Sequence, residues 1–254
     1  QEMIDRVPEG VELIYWDYES KDTSHFDMMM DALAKFTNNT TGFAGGIWNW
    51  SSFAPNNRYS IEHIAASLRS ALSHNTSTIM YTIWGNHGKE CSFFSALPAL
   101  FAAAQMYHGN FDISDIAEKF QQKYGYSFQE FVDLDLVNDT EDEPTHWHNP
   151  CRYLLFNDPF LGLFDYTVTD DLSERYTAAA QKLGKSVNGR SYDYIFDFHH
   201  KLLQVMVRKC DLGRRIRKAY DGKDKNALQA ILHEDFPALD RDIRAMYYAL
   251  KKSW

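Results

Sequence analysis

Three apolar segments in the first hundred residues each end in aromatic and hydrogen-bonding side chains. Their last residues are, in chain order, Tyr15-Trp16-Asp17, Trp48-Asn49-Trp50 and Trp84. The third segment continues into a polar loop flanked by glycines, GNHGKEC at residues 85–91. A sugar ring has apolar C–H faces and a rim of hydroxyls, so flat aromatic rings beside hydrogen-bonding groups suit it. The pattern indicates a carbohydrate site, although Tyr and Trp are also enriched in strands for structural reasons alone.

A helical pattern follows each of these segments. We predict strands over residues 11–17, 42–48 and 77–84, and helices over 24–36, 60–74 and 93–107. Strand–helix alternation implies parallel strands, which carry their chemistry at their carboxyl ends. We therefore expect Asp17, Trp84 and Glu90 to share one pocket there. Three such units do not close a barrel, so they form either an open sheet or part of a larger barrel.

The rest of the chain has a helical character. Short helices are predicted over residues 112–124 and 127–133, and a polar acidic loop over 138–148. The apolar stretch 152–168 is interrupted by Pro159 and Gly162, and its pattern assigns no structure. Residues 170–254 read as helices that form a bundle. We therefore divide the chain into an α/β part, residues 1–110, and a mainly helical part, residues 111–254.

The net charge limits the classes of binding partner, and the cysteines indicate a cellular location. The 254 residues carry a formal net charge of −9, which argues against nucleic acid or an anionic membrane as partner. The basic stretch 208–218 is expected to be a solvated helix face with acidic partners. No run of about eighteen apolar residues predicts a membrane span. The three widely spaced cysteines, Cys91, Cys151 and Cys210, favour a reducing, cytoplasmic location.

Two other groups of residues could form a functional site, one a metal site and the other a cysteine nucleophile. His146 and His148 with Cys151 are loosely spaced like zinc ligands, but a fourth ligand is not evident, and we expect no metal and no cofactor. Cys91 could act as a nucleophile with His87, although nothing in the sequence marks an oxyanion site. Both readings are weaker than the carbohydrate reading.

Four motifs together resemble glycoside hydrolase family 20, the β-N-acetylhexosaminidases, in the branch that has a helical C-terminal region. They are YWDY at residues 15–18, AGGIWNW at 44–50, WGNHGKECS at 84–92 and NPCRYLLFNDPFLGLFDY at 149–166. The family fold is a (β/α)8 barrel. The resemblance therefore implies an α/β fold in which the last three β/α units of a TIM-type barrel are followed by an α-helical C-terminal region.

The resemblance also implies a chemistry. Family members release terminal N-acetylglucosamine or N-acetylgalactosamine with retention and without a metal, and the substrate's own acetamido oxygen attacks the anomeric carbon. An Asp-Glu pair assists: the Asp orients the acetamide and the Glu protonates the leaving oxygen. In this chain Tyr15 would hydrogen-bond the acetamido oxygen and Asp17 a ring hydroxyl.

The remaining implied contacts are with the sugar face and its hydroxyls. Trp84 would form one side of the acetamide pocket or pack against the sugar face, and Trp48 or Trp50 would form a second side. Glu90 or Asn86 would bind the 4- and 6-hydroxyls. The family pattern beside the tryptophan is Trp-Gly-Asp-Asn-Gly, whereas Asn86 stands here in place of the Asp. A neutral amide still bonds hydroxyls, but without charge assistance.

The acid pair is the second departure from the family. It belongs to the fourth barrel strand, and the acidic pairs at 141–142 and 234–235 do not lie at a predicted strand end. We therefore expect the chain to be the C-terminal portion of a hexosaminidase, inactive alone. The alternative is a non-catalytic carbohydrate-binding or interaction module derived from the same fold.

The predicted open sheet would leave side chains and strand edges uncovered, and this implies binding partners. Side chains such as Leu13, Ala44 and Met80 are expected to face the barrel interior, and both sheet edges would be unpaired. We therefore expect an N-acetylhexosamine-containing glycan as ligand, and either the N-terminal half of the barrel or a second copy as protein partner.

Overall fold

The computed structural model describes residues 4–36, 38–50, 53–85, 90–138 and 150–253. The chain divides into two compact units. The first comprises Gln1–Asn49, Asn56–Trp84 and Ala96–Val132, and the second comprises Trp50–Pro55, Gly85–Ser95 and Asp133–Trp254. The predicted division near residue 110 stays a prediction. Among the described residues, no helix combines the length and the apolar composition needed to cross a lipid bilayer.

The first unit contains the predicted parallel sheet. Its strands are β1 (Leu13–Trp16), β2 (Thr41–Gly46) and β3 (Thr78–Thr82), in the order β1-β2-β3. Helix α1 (Thr23–Leu33) follows β1, and α2 (Asn57–Ser73) follows β2. Asp22 begins α1 by accepting the Ser24 N–H, a typical N-cap contact. The strand–helix alternation read from the sequence is confirmed for these residues.

One face of the sheet packs against the helices. Tyr15, Phe43 and Ile79 lie side by side in the strand register. They pack on the buried Phe26 and Met30 of α1, and α2 adds further buried residues to the same cluster. Apolar side chains at alternate strand positions thus form the hydrophobic core of this unit.

The opposite face of the sheet is open at its two edge strands, whereas Ala44 of the central strand is fully buried. This face carries Ile14, Trp16 and Met80, which are 38%, 52% and 37% exposed, and Ala44 lies between them in the register. Leu13 was predicted on this face. That prediction is wrong, because strand alternation places Leu13 on the same side as Tyr15.

Close packing explains why β2 has a glycine at position 45. A Cβ atom at Gly45 would lie 2.6 Å from the Tyr81 ring and 2.8 Å from His63 Nε2. The His63 ring sits between α2 and β2, and its Nδ1 lies 2.7 Å from the Ser20 carbonyl oxygen. Only a residue without a side chain lets the ring and the strand approach so closely.

Three more helices complete the first unit. They are α3 (Leu97–Tyr107), α4 (Ile113–Tyr124) and α5 (Phe128–Val132). Asp112 caps α4, and Gly125 ends it in the left-handed conformation. Phe120 is fully buried, with its ring centroid 4.8 Å from that of Tyr124 and 5.6 Å from that of Phe131. Part of the high aromatic content therefore serves this core.

The second unit is helical. Its helices are α6 (Pro150–Phe156), α7 (Leu172–Gly184), α8 (Asp193–Lys209), α9 (Leu212–Asp221), α10 (Lys225–Ala230) and α11 (Phe236–Lys251). Helix α8 is central, because both α7 and α11 pack on it. Ser173 donates to the Val207 carbonyl at 3.0 Å, and Arg208 bonds Asp242. The helices predicted after residue 170 are confirmed.

The basic stretch of α9 has acidic partners, as predicted. Arg214 lies 2.6 Å from Asp170, and Arg215 lies 3.1 Å from Asp211 and 2.6 Å from Asp235. Its arginines therefore join helix α9 to neighbouring segments of the second unit.

The stability of the second unit should depend on pH through His199. This side chain is 1% exposed, its Nδ1 donates to the Ile195 carbonyl at 2.8 Å, and its Nε2 has no hydrogen-bond partner among the described residues. Burial lowers the pKa of His199 to about 4. The unfolded chain, with an ordinary histidine pKa of about 6.5, binds this proton first as the pH falls.

The free energy of unfolding should therefore decrease by up to about 1.4 kcal/mol per pH unit between roughly pH 6.5 and 4 because of this one group. Denaturant titrations of wild type and His199→Leu across that range measure the effect as the difference between the two slopes. Equal slopes for the two proteins would show that His199 does not contribute.

Candidate functional site

A tight turn follows β1 and is organised by Asp17. Its Oδ1 accepts the Glu19 N–H at 2.7 Å and the Ser20 N–H at 3.2 Å. A carboxylate that accepts two backbone N–H groups in this way fixes a turn. The chain therefore leaves β1 at Trp16 and bends at Tyr18 and Glu19 before α1 begins at Thr23.

The other carboxylate oxygen of Asp17 belongs to a cluster on the helix-covered side. The Tyr15 hydroxyl donates to Asp17 Oδ2 at 2.5 Å, and His25 Nε2 lies 2.9 Å from both of these oxygens. Burial alone would raise the pKa of Asp17, but the hydrogen bonds from Tyr15, the turn and His25 outweigh it and lower that pKa. Burial and the neighbouring Asp17 carboxylate raise the pKa of Tyr15. At neutral pH the cluster thus contains a phenol and a carboxylate.

The open side carries an aromatic wall at the carboxyl ends of β1 and β3. The indoles of Trp16 and Trp84 are stacked, with ring centroids 6.3 Å apart and an interplanar angle of 29°. Trp84 Nε1 donates to the Tyr18 hydroxyl at 2.8 Å, and that hydroxyl lies 2.6 Å from Thr82 Oγ1. Trp16 and Trp84 are 52% and 42% exposed, so solvent reaches their rings. We name Trp16, Tyr18, Thr82 and Trp84 the aromatic wall.

Trp48, which follows β2, and Tyr59 of α2 hold the turn that carries Tyr18. Trp48 Nε1 donates to the Tyr18 carbonyl at 3.0 Å. The Tyr59 hydroxyl donates to the carbonyl oxygens of Tyr18 and Glu19. Trp48 is 8% exposed, so its ring is engaged in packing and offers little surface to a ligand.

The structure divides the predicted site. Tyr15 and Asp17 bond each other on the helix-covered side, whereas Trp84 lies in the aromatic wall on the open side. The turn directs the Asp17 carboxylate back to the backbone and brings Tyr18 to the open face. That Asp17 and Trp84 share a single pocket stays a prediction.

The other predicted residues lie outside these two clusters. Trp50 is buried and Glu90 is half-buried, with Glu90 Oε2 inaccessible to solvent, and both belong to the second unit. Asn86 and His87 lie outside the described residues, as do His146 and His148.

Cys91 is poorly suited to nucleophilic chemistry. It is 2% exposed, its Sγ lies 3.0 Å from Ser95 Oγ, and burial raises the pKa of the thiol to about 12. The nucleophile is the thiolate, which is scarce at neutral pH under these conditions. The alternative reading of Cys91 is therefore not supported by its surroundings.

Sequence reasoning missed Trp16, Tyr18 and Thr82 as members of a candidate site. The alternation of side chains along β1 could have placed Trp16, because it puts Trp16 on the same strand face as Ile14 and its sequence neighbours on the other face. Tyr18 could not be placed in this way, since it follows the turn at Asp17.

The comparisons with known proteins concern mainly the second unit. The model of the Glycoside Hydrolase 20C C-terminal domain matches residues 127–254, which is half of the chain. A comparison with curated proteins gave no match. The matched range contains α5 to α11 and the motif NPCRYLLFNDPFLGLFDY. The chain therefore belongs to the Glycoside Hydrolase 20C C-terminal domain family.

Proposed function

We propose that this chain is the C-terminal portion of a retaining exo-β-N-acetylhexosaminidase that releases terminal N-acetylglucosamine or N-acetylgalactosamine. Strands β1 to β3 are then the last three strands of the (β/α)8 barrel. The observation that carries the proposal is the solvent-accessible aromatic wall at the carboxyl ends of parallel strands. Ligand chemistry in barrels of this kind takes place at that end.

The aromatic wall has the chemistry of a sugar subsite. The stacked indoles of Trp16 and Trp84 offer apolar faces to the C–H groups of a pyranose. The Tyr18 hydroxyl, placed beside Trp84 Nε1, accepts and donates hydrogen bonds at the edge of the same wall. Together they would hold a ring face and one polar substituent.

Catalysis would use the substrate's acetamido group. Its carbonyl oxygen attacks the anomeric carbon as the glycosidic bond breaks, and an acid protonates the leaving oxygen; water then opens the intermediate with net retention. Among the described residues, no adjacent Asp-Glu pair lies at the end of a strand, and Asp235 is paired with Arg215. We therefore assign the acid pair to another part of the barrel.

Two tyrosines are candidates for the hydroxyl that binds the acetamido oxygen. The family resemblance favours Tyr15, whose hydroxyl is bonded to Asp17 and His25. The geometry of the open face favours Tyr18. Removing such a donor costs about a hundredfold or more in kcat. Comparing Tyr15→Phe with Tyr18→Phe in the enzyme that contains the whole barrel identifies the donor.

The test of the proposed activity uses a chromogenic N-acetyl-β-glucosaminide. The enzyme that contains the whole barrel should release the chromophore, and NMR of the first product should show the β anomer. The 254-residue chain alone should give no turnover, because the acid would be missing. Turnover by the chain alone that a substitution within it abolishes would contradict the assignment of the acid pair.

A non-catalytic carbohydrate-binding module is the second candidate. It is favoured by the same observation taken alone: an exposed tryptophan pair in a chain whose described strand ends lack an acid pair. Such a module would bind N-acetylglucosamine, seen as a saturable change in tryptophan fluorescence, and the longest natural protein containing it would still show no turnover.

A further inference from the structure

Hydrogen bonds connect the aromatic wall to the backbone of the central strand, β2. In the wall, Trp84 Nε1 donates to the Tyr18 hydroxyl at 2.8 Å, and that hydroxyl lies 2.6 Å from Thr82 Oγ1. Thr82 Oγ1 donates in turn to the Gly45 carbonyl oxygen at 3.3 Å. The polar edge of the wall is therefore bonded to a peptide group of β2.

The other end of that peptide group is bonded to a buried histidine of α2. The Gly46 N–H donates to His63 Nε2 at 3.4 Å, and His63 Nδ1 lies 2.7 Å from the Ser20 carbonyl oxygen. His63 is 0% exposed, and aromatic rings pack around its imidazole. One peptide group, Gly45–Gly46, thus links the wall to this imidazole. We name the bonds from Trp84 to Ser20 the cross-sheet network.

The bonding partners fix the position of each proton in the cross-sheet network. A backbone N–H only donates and a carbonyl oxygen only accepts, so His63 accepts through Nε2 and donates through Nδ1. The ring is therefore the neutral Nδ1–H tautomer, and burial, which lowers the pKa of His63, favours this neutral form. Thr82 gives its single proton to Gly45, so the Tyr18 hydroxyl donates to Thr82 Oγ1.

All donors of the cross-sheet network point the same way, from Trp84 inward to Ser20. Hydrogen bonds in such a series polarise one another, so a change in one bond alters the others. Trp84 Nε1 also donates to Thr82 Oγ1 at 3.0 Å. The Tyr18 proton can therefore turn to a ligand oxygen without leaving Thr82 Oγ1 short of a donor.

We propose that His63 is a positioning residue for the sugar site. It acts on Thr82 through the Gly45–Gly46 peptide, and Thr82 directs the Tyr18 hydroxyl. Its bond to Ser20 holds the turn that carries Tyr18. The hydroxyl directed in this way would donate to the acetamido oxygen of an N-acetylhexosamine. This last step rests on the proposed function, whereas the cross-sheet network does not.

The cross-sheet network is tested by NMR of the 254-residue chain with ¹⁵N-labelled histidine. At neutral pH the His63 ring, assigned by the loss of its signals in His63→Asn, should be protonated at Nδ1 and unprotonated at Nε2. Thr82→Val removes the hydroxyl and keeps the side-chain shape, so it should shift the Nε2 resonance. Thr41→Val, the same substitution at the first residue of β2, should not. A ring protonated at Nε2, or a resonance that Thr82→Val moves no more than Thr41→Val does, would overturn the proposal.

The effect on catalysis is measured in the enzyme that contains the whole barrel. Thr82→Val should lower kcat for an N-acetyl-β-glucosaminide about tenfold and leave KM within about twofold, as expected when one neutral hydrogen bond is lost in the transition state. Thr82→Ser keeps the hydroxyl and should restore most of the activity. Thr41→Val should have the kcat of wild type.

His63→Asn separates the two bonds of the histidine. Its amide can donate to the Ser20 carbonyl from the place of Nδ1, but it offers the Gly46 N–H no acceptor at the place of Nε2. Its kcat should therefore fall as in Thr82→Val, with circular dichroism unchanged; if His63→Asn does not fold, Thr82→Val decides. Wild-type kcat in Thr82→Val or in folded His63→Asn would overturn the positioning role. A whole-barrel wild type without turnover would instead contradict the proposed function, and the NMR result alone would then decide the cross-sheet network.

Discussion

Replacing Trp84 with alanine should lower kcat/KM for an N-acetyl-β-glucosaminide at least about a hundredfold in the enzyme that contains the whole barrel, which corresponds to about 2.7 kcal/mol of transition-state stabilisation. Three losses combine. The sugar would lose part of the aromatic wall, Trp16 loses its stacking partner, and the Tyr18 hydroxyl loses the N–H that fixes its direction. Far-UV circular dichroism should be unchanged, because the Trp84 ring is 42% exposed.

A graded variant separates the ring from its N–H group. Trp84→Phe keeps an apolar face and removes the donor to Tyr18, so its activity should lie between those of wild type and Trp84→Ala. Tyr107→Ala serves as the matched control, since Tyr107 is a 54% exposed aromatic residue of the same unit at the end of α3. It should retain activity within about twofold. Activity of Trp84→Ala within about threefold of wild type would remove the aromatic wall from the substrate site.

The strands, their parallel order and most helices could be predicted, because hydrophobic periodicity and cap residues act locally. The sequence did not allow a prediction of which face of the sheet is open. The alternation of side chains groups Tyr15 with Asp17 and Trp16 with Ile14, but it does not say which group the helices cover. That choice depends on the register, which aligns Tyr15 with Phe43 and Trp16 with Ala44.

Residues 157–168 escaped prediction for a different reason. Their conformation depends on bonds between side chains and backbone, such as those of Asn157 and Asp158, and on contacts with Lys209 and Arg217, about fifty residues later. Such bonds leave no periodic pattern of apolar residues in the sequence. The apolar residues of this segment were visible in the sequence, but a run of this kind predicts burial, whereas the structure leaves Leu161 81% exposed.

The two faces of the sheet should also differ in what they contribute to stability. Phe43→Ala should reduce the free energy of unfolding of the chain by about 3–5 kcal/mol, the range for removal of a fully buried phenylalanine. Phe43 is 0% exposed in the central strand, with its ring centroid 5.6 Å from that of Phe26 and 6.1 Å from those of Tyr15 and Tyr81. Because both helices close over this face, the resulting cavity cannot collapse easily.

Ile14→Ala is the matched control on the open face of the same sheet. Ile14 lies in β1 and is 38% exposed, so its truncation should cost less than about 1.5 kcal/mol, since much of its surface remains in contact with water. Urea unfolding of the 254-residue chain measures both values. A loss for Ile14→Ala as large as that for Phe43→Ala would mean that this face is covered in solution, and the aromatic wall beside it would then be closed to a sugar as well.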